Sequence, residues 1–131
     1  FARQTMMNLW QQVLAQIERA VDPDGKSDAF RTALKRACVE QADAFPFLDP
    51  FAGEFDYRAG QITFTGAAPV NAFNRGLAQT LAGAVQKLAA QPGRADLMPR
   101  LAAALADLKK QSGQRLEELG LVSALPNLFG A

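Results

Sequence analysis

The sequence predicts a mainly α domain of about four amphipathic helices, with one β-hairpin inserted between helices two and three; by strict count this is an α+β fold. Two observations support this prediction. Apolar residues recur every three or four positions in four segments, as in helices that bury one face, and two short segments alternate polar and apolar residues, as in strands. With 131 residues, 49% of them hydrophobic, the chain is large enough for one core, so we expect a single domain over 1–131. Because it starts at Phe1 rather than Met, we expect it to be excised from a longer protein.

The first predicted helix starts after an N-cap at Thr5 and ends at Val21. Its apolar residues keep the helical spacing: Met6, Leu9, Trp10, Val13, Leu14, Ile17 and Val21. The Asp-Pro-Asp-Gly run at 22–25 stops it, because proline cannot continue the hydrogen-bond ladder and Asp and Gly favour turns.

Ser27 and Asp28 offer an N-cap to a second helix, which we expect to reach Ala44, just before the helix-breaking Pro46. Its apolar stripe is weaker: Phe30, Leu34, Ala37, Cys38, Val39 and Ala42. Segment 45–51 follows, with three phenylalanines and two prolines in seven residues. It cannot be helical throughout, and its large apolar groups predict burial.

Segments 54–58 and 61–65 alternate polar and apolar residues around Ala59 and Gly60, which predicts a hairpin. The period of two places four residues on one face, which we expect to pack on helices: Phe55, Tyr57, Ile62 and Phe64. The polar residues of both strands then face water.

A third helix is predicted to start at Pro69 and to end at Gln91-Pro92-Gly93; its stripe is Val70, Phe73, Leu77, Leu81, Val85 and Leu88. The fourth helix has leucines at helical spacing from Leu97 to Leu119, and Gly113 is either tolerated within it or divides it. Gly120 is a good C-terminal stop. The apolar segment 121–129 either packs back on the core or meets a partner.

Composition excludes several classes of function. The chain has no histidine, so Ser-His-Asp and Cys-His nucleophiles and histidine metal sites are impossible within it. Its single cysteine, Cys38, cannot form an internal disulfide and is expected to be a small buried hydrophobe. The net charge of +1 argues against a nucleic-acid partner, and no apolar run is long enough to span a bilayer. We expect no cofactor, no metal, no membrane insertion and a cytoplasmic location.

Candidate contacts for a ligand or partner come from three places. Two phenylalanines belong to the distinctive segment 45–51, two residues end the first strand, and two make a small basic patch on the second helix: Phe47, Phe51, Tyr57, Arg58, Arg31 and Lys35. Carboxylates at Asp43, Asp49, Glu54 and Asp56 are more typical of turns and solvent-facing strand positions. Whether Asp49, Glu54 and Asp56 form a site stays open.

These features favour a non-enzymatic regulatory or protein-interaction domain of a bacterial signalling or regulatory protein, with a protein partner or a homodimer. Association is favoured by apolar surface on the first helix, on the small-residue face of the third helix and in the tail after Gly120. The alternative is a small-molecule sensor that binds an apolar or aromatic ligand between the hairpin and the helices, lined by Trp10, Phe30, Phe55, Tyr57, Phe64 and Phe73. An enzyme is the least favoured class, because no ordinary nucleophile and base can be paired.

Overall fold

A computed structural model describes residues 3–25, 27–58 and 60–129 of the chain. Its elements are α1 (Arg3–Val21), α2 (Ala29–Gln41), a 3₁₀ turn (Pro46–Leu48), β1 (Phe55–Arg58), β2 (Gln61–Phe64), α3 (Val70–Ala89), α4 (Leu97–Glu118), α5 (Leu121–Ala124) and α6 (Pro126–Phe129). The hairpin lies between the second and third helices, so the predicted mainly α fold with an inserted hairpin is confirmed. No helix in these ranges is long and apolar enough to cross a membrane.

Two helix ends differ from the prediction. Helix α1 begins at Arg3, so Thr5 lies inside the helix and is not its N-cap. Helix α2 ends at Gln41, three residues before Ala44, and the N–H of Phe45 donates to the carbonyl of Gln41 at 2.8 Å. Val39 was also misplaced in the apolar stripe, since 53% of it is exposed. The buried face of α2 is centred on Leu34, Ala37 and Cys38, and Val39 is rotated about 100° from Cys38 around the axis.

Helix α4 continues past Gly113, but the residue before it, Ser112, has non-helical angles of φ −135° and ψ 24°. The structure therefore combines the two predicted alternatives, a tolerated glycine and a divided helix. Gly120 ends the helical run in a left-handed conformation with φ +86°, as its position predicted. The chain then turns into α5 and α6.

The core has two main helix contacts, α2 against α3 and α1 against α4. Lys87 of α3 forms an ion pair with Glu40 of α2 at the surface of the first contact. The tail packs back on its own chain, since α6 and α5 both contact α4. Its large apolar side chains are buried there: Leu121, Leu125, Leu128 and Phe129. Of the two predicted fates of the tail, the structure shows the first.

The hairpin packs its predicted face on the helices. Cross-strand pairs are Phe55 with Phe64 and Tyr57 with Ile62. Gly60 has φ +84° in the turn, and its predicted neighbour Ala59 lies outside the described residues. Three rings surround that of Phe73 at centroid distances of 4.9–6.1 Å: Phe47, Phe55 and Phe64. The aromatic face thus joins the hairpin, the 3₁₀ turn and α3.

Candidate functional site

Four of the six candidate residues line one groove between α2 and β1, with a volume of about 470 Å³. Arg31 and Lys35 lie one turn apart on α2, whereas Tyr57 and Arg58 end β1. Helical spacing brings the α2 residues to the same wall, because positions i and i+4 share a face. Pro50 and Gly53 close the groove at the loop before β1. We call it the α2–β1 groove.

The backbone of β1 presents an open edge. The N–H of Thr65 donates to the carbonyl of Glu54 at 2.9 Å, so residues 54 and 65 are a hydrogen-bonded pair just before β1 and after β2. Such pairs alternate along an antiparallel ladder. The N–H and C=O groups of Phe55 and Tyr57 therefore point away from β2. Both residues line the α2–β1 groove, and within the described ranges no hydrogen bond engages these four groups.

The opposite edge of the hairpin makes a hydrogen bond with α1. Tyr57 and Ile62 face each other across the ladder, so the N–H of Ile62 points away from β1. It donates to Oε1 of Gln11 on α1 at 2.8 Å. A side chain of α1 thus engages one N–H group on the outer edge of β2, whereas the edge of β1 faces the groove.

The charges of the groove are predominantly positive. Arg58 Nε lies 2.9 Å from Asp56 Oδ2, and both side chains are mostly exposed. Arg31 and Lys35 form no ion pair with any residue that the structure describes. The groove has two carboxylates, Asp28 and Asp56. Asp56 is paired with Arg58, so only Asp28, at the start of α2, balances the charges of Arg31 and Lys35. The α2 wall therefore offers two cations to an incoming acidic group.

The two phenylalanine candidates have opposite environments. Phe47 is in the core, stacked on Phe73 at 5.5 Å, and is outside the groove. Phe51 is 94% exposed and lies between the groove residues Pro50 and Gly53. Its N–H donates to Oδ1 of Asp49 at 2.9 Å, which fixes the loop that holds the ring in solvent. Phe51 is therefore a candidate contact and Phe47 a core residue.

Tyr57 points its polar end away from solvent. Its hydroxyl donates to Oε1 of Glu18 on α1 at 2.8 Å, and its ring meets that of Phe30 edge-on at 6.0 Å. Burial and the hydrogen bond to Glu18 raise the pKa of the phenol well above its ordinary value. Tyr57 thus lines the groove, while the hydroxyl of its side chain fixes β1 to α1.

The acidic candidates do not converge. Asp49 makes the loop turn, Asp56 pairs with Arg58, and Glu54 is half-buried beside Gly66. In the described ranges, no cluster of three or more His, Cys, Asp or Glu residues could hold a metal ion. Cys38 is buried, and burial raises the pKa of its thiol to about 12, so the thiol is protonated at neutral pH.

A second groove was missed at the sequence level. It has a volume of about 940 Å³ and lies between α3 and the junction of α4 with α5. Asn74 lines it and is 8% exposed. The signal was in the sequence, since Asn74 occupies a helical position between Val70 and Leu77 that should be apolar.

No family model, curated protein or solved structure was found to match the chain. The candidate functional features of the chain are therefore the two grooves.

Proposed function

We propose that this chain is a non-enzymatic protein-interaction domain that binds an extended, acidic segment of a partner protein in the α2–β1 groove. The segment pairs with β1 as a third strand. The observation that supports this most is the open edge of β1, where the backbone groups of Phe55 and Tyr57 face a groove instead of a neighbouring strand. An exposed strand edge is a template for a further strand.

Backbone pairing supplies affinity in this arrangement. Phe55 and Tyr57 together offer two N–H donors and two C=O acceptors, and a four-residue strand is about 13 Å long. Alternate residues of the bound segment would turn toward α2, where Arg31 and Lys35 lie one helical turn apart. Two acidic side chains at alternate positions match that spacing, and charge-assisted hydrogen bonds are the stronger kind.

Phe51 adds an apolar contact beside the groove. Phe51 is 94% exposed in the free domain, so its ring contributes no burial free energy to folding. Burying the ring under a bound segment would stabilise the complex by about 1.5–3 kcal/mol. Aromatic side chains of this kind are common anchors in interfaces. We therefore expect an apolar residue next to the acidic ones in the bound segment.

A second copy of the chain is the alternative partner, because two β1 edges could pair across a two-fold axis. The charges disfavour it, since that pairing would bring the Arg31 and Lys35 walls of both copies to the same interface. The apolar surface that suggested a homodimer is also used within the chain, because the α1 face and the tail are buried. A regulatory role in a bacterial cytoplasmic protein is part of the same proposal and is supported only by composition.

Selection from a phage-displayed library of random peptides tests the proposal. We expect enriched peptides to contain acidic residues at alternate positions with a neighbouring apolar residue. The enriched peptide is then synthesised with single N-methyl groups along its backbone. Strand addition predicts a period of two, in which methylation of one set of nitrogens abolishes binding and methylation of the other set leaves it unchanged.

Arg31→Glu and Lys35→Glu should each weaken binding by about tenfold or more, because each reverses a charge that faces the peptide. Lys110→Glu is the matched control, since it makes the same charge change on α4 outside the groove. Phe51→Ala should weaken binding with no more than about 0.5 kcal/mol of change in unfolding free energy, as expected of an exposed residue. The proposal is wrong if no peptide is enriched, or if the affinity for the peptide is unchanged by both N-methylation and charge reversal.

A further inference from the structure

The larger groove, between α3 and the α4–α5 junction, has the features of a small-molecule site. Its lining includes the small residues Ala78, Gly120 and Ala124, beside which a ligand can approach the backbone. Its volume of about 940 Å³ is within the range of ligand pockets. The α2–β1 groove and this one share no lining residue. A ligand in this groove would therefore contact none of the residues that line the α2–β1 groove.

The side-chain amide of Asn74 lines this groove. The indole Nε1 of Trp10 donates to Oδ1 of Asn74 at 3.0 Å. Because the indole can only donate, Oδ1 must face Trp10, and the amide nitrogen is on the other side. Within the described ranges no hydrogen bond engages that nitrogen, and Asn74 lines the groove while only 8% exposed. The nitrogen is not among the fully buried atoms that lack a partner, so it keeps some exposure to the groove and can donate to an acceptor there.

Opposite charges lie on the two walls. Arg75, next to Asn74 on α3, has its guanidinium carbon 5.8 Å from the centre of the Phe45 ring, which restricts where the cation lies. Glu118 is on the other wall, at the end of α4. Neither forms an ion pair with a described residue, so each is available to a ligand.

We propose that this groove binds a small amino-carboxylate. The carboxylate accepts hydrogen bonds from the Asn74 amide and the Arg75 guanidinium, which are neighbours on α3. The ammonium group donates to Glu118 across the groove. A ligand with both charges contacts the Asn74 amide and the charged groups of both walls, whereas a simple carboxylate or a simple amine contacts the charged group of only one wall.

Thermal unfolding of the whole chain with a series of ω-amino acids, from glycine to aminohexanoate, tests this proposal. Each compound is compared with the carboxylate and the amine of the same chain length at the same millimolar concentrations. We expect a saturable rise in Tm for the amino acids that span the walls, because a ligand that binds only the folded state stabilises it. The carboxylate and amine analogues should bind about tenfold more weakly, since each loses one charged contact.

Asn74→Asp keeps an oxygen for Trp10 but replaces the amide donor by a carboxylate, so it should abolish the ligand-induced shift. Its stability is measured without ligand, and Arg75→Gln provides a second variant at an exposed position. Glu118→Gln should weaken amino acids but not carboxylates, whereas Glu117→Gln, outside the groove, is the matched control. The proposal is overturned if no compound shifts Tm, if only longer peptides do, or if the shift is unchanged in Asn74→Asp and Arg75→Gln.

Discussion

The indole of Trp10 and the amide of Asn74 join α1 to α3 through a hydrogen bond of 3.0 Å inside the core. Trp10 is fully buried and Asn74 nearly so. Burying either polar group alone would be costly, so each needs the other. The bond also fixes which end of the Asn74 amide faces the larger groove, and it thereby couples packing of the core to the proposed ligand site.

Trp10→Phe should lower the free energy of unfolding by about 2–4 kcal/mol, because it leaves Oδ1 of Asn74 buried without a donor and removes part of a large side chain. Urea unfolding of Trp10→Phe, Asn74→Leu and the double variant measures the coupling. We expect the double variant to cost clearly less than the sum of the single ones, since no polar group is then left unpaired. Additive costs would contradict a hydrogen bond between these residues.

Two glycines of α3 should respond oppositely to alanine. A Cβ at Gly76 would lie 2.9 Å from ring atoms of Phe45 in the core, whereas one at Gly83 would lie 3.9 Å from the Cβ of Ala37. We expect Gly76→Ala to destabilise the fold by about 1–3 kcal/mol through overpacking. Gly83→Ala should stabilise it by about 0.5–1 kcal/mol, because alanine restricts the unfolded chain and fits the helix.

Thermal or urea unfolding of both variants provides the measurement, and each serves as the control for the other. Equal effects of the two substitutions would mean that the aromatic ring of Phe45 does not press on α3. Gly76 would then be replaceable, and the close approach of segment 45–51 to α3 would not depend on it.

The hairpin and the helices could be predicted because the spacing of apolar residues within each short segment indicates its secondary structure. A period of two identifies the inward face of Phe55 and Tyr57, and helical spacing identifies the buried face of α1. Helix α2 ends at Gln41, before the predicted Ala44, so the helix-breaking effect of Pro46 did not place its last residue. The burial of Phe47 and the exposure of Phe51 could not be predicted either. Both residues belong to one apolar segment, and the path of the loop decides which ring is buried.

The candidate site was predicted residue by residue but not as a site. The basic pair Arg31 and Lys35 and the strand residues Tyr57 and Arg58 are more than twenty positions apart, and only the fold places them around one groove. The open edge of β1 could not be predicted, because it depends on which helix covers which strand. Asn74 was within reach, since a polar residue within an apolar stripe is an informative exception.

Alkaline pH should destabilise the protein in part through Tyr57. Burial and the hydrogen bond to Glu18 raise its pKa in the folded state above the ordinary value of about 10. The folded chain then holds this proton more tightly than the unfolded chain. The resulting stability is complete below about pH 10 and is lost as the pH rises further. Tyr57→Phe should therefore reduce the slope of unfolding free energy against pH in that range.

Cys38 contributes with the same sign, because burial raises its pKa from 9.0 to about 12. The comparison of tyrosine with phenylalanine at position 57 is therefore made in chains that both contain Cys38→Ala. Urea unfolding between about pH 8 and pH 11 gives the two slopes. Identical slopes would show that the phenol of Tyr57 titrates in the folded state as it does in the unfolded chain.

The tail should stabilise its own chain. Leu128 of α6 is 1% exposed, and α6 packs on α4 within the same molecule. Leu128→Ala should therefore lower the free energy of unfolding by about 2–5 kcal/mol through the cavity it leaves. Because the contact is intramolecular, the loss in Tm should be the same at every protein concentration.

A tail that covered a second subunit would instead make Tm of the unmodified chain rise with concentration, and the loss on substitution would change with it. Light scattering on the same samples gives the mass, and a dimer that dissociates on Leu128→Ala would contradict the intramolecular packing.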